Sequence, residues 1–117
     1  MKKLWDKAEL IAINYLKRSW YNLIETNFKF KKFGEIDLIC NLKDLTIFLE
    51  VKYRSNESYW TWEESISKQK KYKLLKSIEY YCLINKINFE KIRFDIISIK
   101  RNTNSYKLIH YKNESLN

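Results

Sequence analysis

The stretch Ile47-Phe48-Leu49-Glu50-Val51-Lys52-Tyr53-Arg54 reads as a β-strand, and the residues around it set the fold. It is rich in β-branched and aromatic residues, which fit a pleated, half-buried surface. Residues two apart on a strand share a face, so Ile47, Leu49, Val51 and Tyr53 project to one side and Glu50 and Lys52 to the other. Charges within so apolar a strand are costly to bury unless they are paired or bound to a metal. Thirteen residues upstream of Glu50, Asp37 lies in Gly34-Glu35-Ile36-Asp37-Leu38-Ile39, a second strand. Two carboxylates and an ammonium suit a divalent cation and a phosphate.

Working outward, Leu4, Trp5, Ala8, Ile11, Ala12, Tyr15 and Leu16 recur at helical spacing and predict an amphipathic first helix. Leu23 to Phe30 reads as a strand and Gly34 as a turn leading into the strand that ends at Cys40. Asn41 to Leu45 reads as a hairpin loop, Thr46 to Tyr53 as the third strand, and Ser55 to Thr61 as a polar, aromatic loop. A long helix is expected over Glu63 to Asn85, with Glu63 and Glu64 favouring the dipole of its first turn. Ile92 to Ile99 and Tyr106 to Tyr111 are the fourth and fifth strands. The order α-β-β-β-α-β-β predicts an α/β domain, a mixed sheet flanked by helices, over residues 1–111, with 112–117 as a frayed C-terminal tail.

At 117 residues, 45% of them apolar, the chain suits one domain with one core. Two cysteines and one histidine cannot build a repeated zinc framework. Cys40 and Cys82 fall in apolar patterns and are read as buried free thiols. No run of 18 apolar residues predicts a membrane span, and the charges spread through Met1 to Trp20 leave no signal-peptide core, so a cytoplasmic location is expected. The net charge of +9, from 23 basic against 14 acidic residues, favours a polyanionic partner. Richness in Asn, Ile, Tyr and Lys, with one Gly and no Pro, also matches an A+T-rich coding sequence, so charge alone does not establish nucleic-acid binding.

Three blocks, Gly34-Glu35-Ile36-Asp37-Leu38-Ile39, Phe48-Leu49-Glu50-Val51-Lys52-Tyr53-Arg54 and Arg93-Phe94-Asp95-Ile96-Ile97, resemble the signature blocks of the YraN-like family. Those proteins are similar to archaeal Holliday-junction resolvases and to the PD-(D/E)XK, restriction-endonuclease-like superfamily. The resemblance runs from the first helix to about Ile99. It implies a restriction-endonuclease-like fold and a nuclease that hydrolyses DNA phosphodiester bonds, in branched structures among others. Asp37, Glu50 and Lys52 match the catalytic positions. Glu9 matches an N-terminal acidic position, although Lys7-Ala8-Glu9 lacks the customary Gly before the Glu. Asp37, Glu50, the Val51 carbonyl and Glu9 are then the expected ligands of Mg²⁺ or Mn²⁺, with Lys52 orienting a water or stabilising phosphate charge. Resolvase-like relatives act as dimers, so a homodimer is an expected state.

Lys31, Lys32, Arg54, Lys68, Gln69 and Lys71 are the expected nucleic-acid contacts, with Lys29 beside them and Lys70, Lys73 and Lys76 on the same helix. A solubilising polar helix face competes with that reading. Tyr59, Trp60 and Trp62 suit either base stacking or a cap on the core. Arg93 and Asp95 are expected to pair with each other, and His110, with no acidic or cysteine partner nearby in sequence, is read as non-catalytic. A catalytically silent nucleic-acid-binding module of the same fold remains the alternative function, and a docking protein using the aromatic loop a weaker third.

Overall fold

In the computed structural model the described residues are 7–54 and 67–116. Helix α1 (Lys7–Arg18) is followed by β1 (Asn22–Lys29), a 3-10 turn at Lys31–Phe33, β2 (Glu35–Leu42) and β3 (Leu45–Arg54). Helix α2 (Lys68–Ile84), a second 3-10 turn at Phe89–Lys91, β4 (Ile92–Arg101) and β5 (Tyr106–Tyr111) complete the domain. The order α-β-β-β-α-β-β is the one read from the sequence. The expected hairpin loop is tighter than Asn41–Leu45: Leu42 pairs with Leu45, leaving Lys43 and Asp44 as the turn, with Lys43 at φ 56°.

The five strands lie in the order β1-β2-β3-β4-β5. All neighbours are antiparallel except β3 and β4, which run parallel from Thr46 opposite Ile92 to Arg54 opposite Lys100. Parallel neighbours need a long connection, and α2 lies within it. Alternation then divides the core between two faces. Leu38, Cys40, Ile47, Leu49, Ile97 and Ile99 pack with Ala8, Ala12, Ile13 and Leu16 of α1. Ile39, Phe48, Phe94 and Ile96 pack with Leu74, Ile78, Tyr81 and Cys82 of α2. The result is a three-layer α/β/α domain. Cys40 and Cys82 are buried free thiols, as expected.

Helix α2 begins later than the sequence pattern suggests. Ser67 is its N-cap, with extended backbone and a hydroxyl accepting the Lys70 N–H at 3.1 Å. The expected portion from Glu63 to Ile66 lies outside the described residues, as do Leu4, Trp5, Tyr59, Trp60 and Trp62. The C-terminal segment is docked rather than frayed. Asn113 N–H donates to Asp95 Oδ1 at 2.9 Å, Glu114 N–H donates to the Phe94 carbonyl at 2.7 Å, and Leu116 packs on the α2-side core. No helix among the described residues is long and apolar enough to cross a membrane.

Candidate functional site

The site forms where β2 and β3 part. They pair from Leu42–Leu45 to Leu38–Leu49 and no further. Beyond that point β2 stays with β1 as far as Glu35, and β3 stays with β4 as far as Arg54. One more pair in that register would set Asp37 opposite Glu50. Instead the Asp37 side chain enters the fork, and its Oδ2 accepts the Val51 N–H at 2.8 Å. A backbone donor freed by the strand separation is thereby satisfied by the carboxylate.

Glu50 is buried, and two ammonium groups reach its Oε2: Lys52 Nζ at 3.4 Å and Lys70 Nζ at 3.1 Å. Lys52 is delivered by the two-residue period of β3. Lys70 arrives from the first turn of α2, whose start is fixed by the Ser67 cap. Burial pushes the Asp37 carboxyl up to about 8, reinforced by the charge of Glu50 and a hydrogen bond with it, against the opposing bond from Val51. Burial also holds Lys52 below the usual lysine range, with the neighbouring Lys70 adding to the effect and Glu50 opposing it. For Lys70 burial works against the charge, but Glu50 outweighs it and the amine is raised. A carboxyl and an amine moved toward neutrality side by side are the mark of charges crowded into a poorly solvated place.

Glu9 is buried in α1 and accepts from Asn27 Nδ2 at 3.1 Å, while the same amide reaches Glu35 Oε1 at 3.2 Å. Its charge adds to the upward push on Asp37. Asn27 sits at φ 51° in β1, a left-handed conformation that Asn tolerates better than most residues. Among the described residues no group of three His, Cys, Asp or Glu is clustered to hold a metal ion. Asp37 and Glu50 act directly on each other, and Glu9 acts on Asp37 through its charge. Their chemistry suits a hard divalent cation, which is commonly held by one or two carboxylates with water and phosphate oxygens as the other ligands.

The first turn of α2 and the Lys31–Phe33 turn face each other across a cavity of about 240 Å³, to which Gln69 and Lys70 contribute from the helix and Phe33 and Glu35 from the other wall. Gln69 is exposed, as are Lys31, Lys32 and Lys68 next to the lining residues in sequence, and Lys71 and Arg54 are half-buried. Lys29 is taken up in part by Glu35, at 4.0 Å. Lys70 was legible only as one of a crowd of helix lysines; its pairing with Glu50 depends on the helix start, which no periodicity fixes.

The model of the family described as "Uncharacterised protein family UPF0102" matches residues 8–99. The chain belongs to UPF0102. A UPF0102 protein of Clostridioides difficile is 39% identical over 98 residues, covering 84% of this chain and 85% of the relative. One from Acetivibrio thermocellus is 36% identical over 92 residues, covering 79% and 71%. One from Fervidobacterium nodosum is 38% identical over 115 residues, covering 96% and 81%. The UPF0102 match spans Glu9, Asp37, Glu50, Lys52 and Lys70 and stops before β5.

A second polar cluster in this UPF0102 chain occupies the α1 side of the sheet. Asp95, fully buried, receives Arg93 Nε at 2.9 Å and Arg93 Nη2 at 2.7 Å, with His110 Nε2 at 2.7 Å. Tyr21 Oη accepts from Arg93 Nη2 at 2.9 Å, and His110 Nδ1 lies 2.8 Å from Tyr15 Oη. The Arg93–Asp95 pairing was expected. The acidic partner of His110 was not, because β5 returning along β4 brings together residues fifteen apart. Burial would raise Asp95, but hydrogen bonds from His110, Arg93 and the Asn113 amide hold it below the ordinary carboxylate range.

Proposed function

We propose that this protein is a metal-dependent nuclease of the PD-(D/E)XK type, cutting DNA phosphodiester bonds with Mg²⁺ or Mn²⁺. The observation that carries the reading is the strand fork: the Asp37 carboxylate accepts the Val51 N–H at 2.8 Å beside Glu50, on which Lys52 and Lys70 converge at 3.4 and 3.1 Å. Burial and the charge of Glu50 favour a proton on Asp37 near neutral pH, and a cation there would offset both. Asp37 and Glu50 would hold the ion, with the Val51 carbonyl as a further oxygen. A bound divalent ion supplies polarisation of the phosphate and acidification of a water.

The remaining work falls to the chain's own groups. Lys52, partly desolvated, is suited to orient a water or to meet charge developing on phosphate oxygens. Lys70 holds Glu50 in place and offers a cation to the approaching strand. Lys31, Lys32, Lys68, Gln69, Lys71 and Arg54 would contact neighbouring phosphates. The products would be a 5′-phosphate and a 3′-hydroxyl. Two copies related by a two-fold axis would suit a symmetric branched substrate.

The experiment is cleavage of duplex, single-stranded and branched DNA with each metal. Asp37→Asn, Glu50→Gln and Lys52→Ala should each abolish cutting while the chain stays folded by circular dichroism. Wild-type protein that cuts none of these substrates with either ion ends the proposal. A silent nucleic-acid-binding module is favoured by one observation: the ammonium groups of Lys52 and Lys70 both pair with Glu50, at 3.4 and 3.1 Å. Salt-sensitive binding that survives Asp37→Asn, with no cleavage by wild type, would select that reading.

A further inference from the structure

The cavity beside the strand fork has three chemically different walls. The first is aromatic. Tyr80 stacks on Phe30 with centroids 4.0 Å apart and planes 12° apart, and Phe30 stacks on Phe33 at 5.2 Å and 13°. Among the described residues this ladder of parallel rings ends at Phe33, which lines the cavity. The second wall is cationic, from Lys70 and Lys73. The third carries polar edges, the Gln69 amide and the Glu35 carboxylate. The space is open beside Gly34, where an added β-carbon would meet nothing within 4 Å.

At about 240 Å³ the cavity is smaller than the roughly 300–1,000 Å³ clefts that hold drug-sized ligands, and it leaves room for one flat ring system. A terminal aromatic ring stacks on any base, because every base has a π-face. A carboxylate in the wall repels a phosphate but accepts from a base N–H, as acidic side chains do from cytosine N4. The lysines are placed for the backbone that carries the base. Lys70 belongs to both places: it lines the cavity, and its Nζ lies 3.1 Å from Glu50. A nucleotide seated here therefore sits immediately beside the carboxylate pair.

We infer that this cavity receives one unpaired base of the DNA strand whose phosphate lies at Asp37 and Glu50, so that the substrate carries a single-stranded nucleotide beside the cut. A base inside continuous duplex cannot reach the cavity without leaving its stack. The placement of the phosphate rests on the nuclease reading; the seating of the base rests on the cavity itself.

The test uses the full chain and a duplex with a short single-stranded flap, in which an abasic residue is stepped through the flap. Binding is read by fluorescence anisotropy without metal, and cleavage separately with Mn²⁺. Wild-type binding should weaken about 5- to 150-fold when the abasic residue reaches one position, the range expected for losing one stacked base. Phe33→Leu, which keeps the apolar bulk and removes the ring, should bind weakly and lose that sensitivity. Phe33→Tyr should retain it and serves as the folding control. A flat abasic profile in wild type overturns the inference, as does a Phe33→Leu profile equal to wild type. Protein that cuts intact and abasic flaps alike keeps the nuclease and loses the base site. An abasic-sensitive binder that never cuts keeps the base site and loses the nuclease. A chain that does not bind the flap at all removes both.

Discussion

Replacing Asp37 by Asn should make the protein more stable at neutral pH while removing any metal-dependent function. The folded chain keeps a proton on a carboxyl whose ordinary value of 3.8 is pushed up to about 8. Each pH step between those values costs 1.36 kcal/mol, so holding the proton at pH 7 costs about 4 kcal/mol relative to an unfolded chain free to release it. Asn resembles the protonated carboxyl: its oxygen can accept from the Val51 amide, and its NH₂ can donate to Glu50. It carries no ionisation cost, so the gain should approach that figure at pH 7 and shrink below about 1 kcal/mol near pH 4. The sign follows from the raised value: the wild-type site is least destabilising below the unfolded value, loses stability as pH rises from about 4 to about 8, and is flat above. For a chain of this length the gain at pH 7 corresponds to a Tm increase on the order of 10 °C. The assay is thermal unfolding of both proteins from pH 4 to 9, with and without Mg²⁺ or Mn²⁺. Metal should raise the Tm of wild type and leave Asp37→Asn unmoved. A variant less stable than wild type at pH 7 to 8, or a difference that ignores pH, would refute the reasoning.

Asp95→Ala should cost about 3–5 kcal/mol, read by urea unfolding, because it strands the half-buried Arg93 beside His110. The wild-type Asp95 contribution should persist above its ordinary value of 3.8 and fade as acid protonates it at lower pH, visible as steepened acid unfolding. Removing residues 113–117 should cost about 1–3 kcal/mol in the same assay, since one oxygen of the buried Asp95 loses its backbone donor. Lys70→Ala should change stability by less than about 1 kcal/mol, its side chain being 48% exposed, yet weaken DNA binding measurably at low salt.

Much of the fold could be read because β3 alternates with a period of two, β4 is rich in Ile and Phe, and α1 carries a clean helical stripe; these patterns are local. Asp37, Glu50 and Lys52 were found for the same reason: Lys52 reaches Glu50 through the strand period alone. What escaped the reading depends on relations that sequence spacing does not encode. Lys70 meets Glu50 only because the Ser67 cap starts α2 where it does. Asn27 bridges Glu9 and Glu35 through a left-handed backbone in the middle of a strand, which no pattern announces. His110 finds Asp95 through the β4–β5 register, and Asn113 and Glu114 dock where a frayed tail was expected.

The single parallel pair has a consequence for the order of assembly. β1, β2 and β3 form a meander of short-range hairpins, and β4 with β5 forms a single hairpin, but Thr46 must find Ile92 across the whole crossover. Loop closure over that distance makes this the slow, late contact. Both acidic members of the fork belong to the early half, and the helix that brings the second ammonium belongs to the late one. Nascent chains would thus hold the two carboxylates together before Lys70 arrives, and conditions that protonate Asp37 should speed folding more than they slow unfolding. Stopped-flow refolding between pH 5 and 8 checks this: a refolding rate that ignores pH while unfolding changes would refute it.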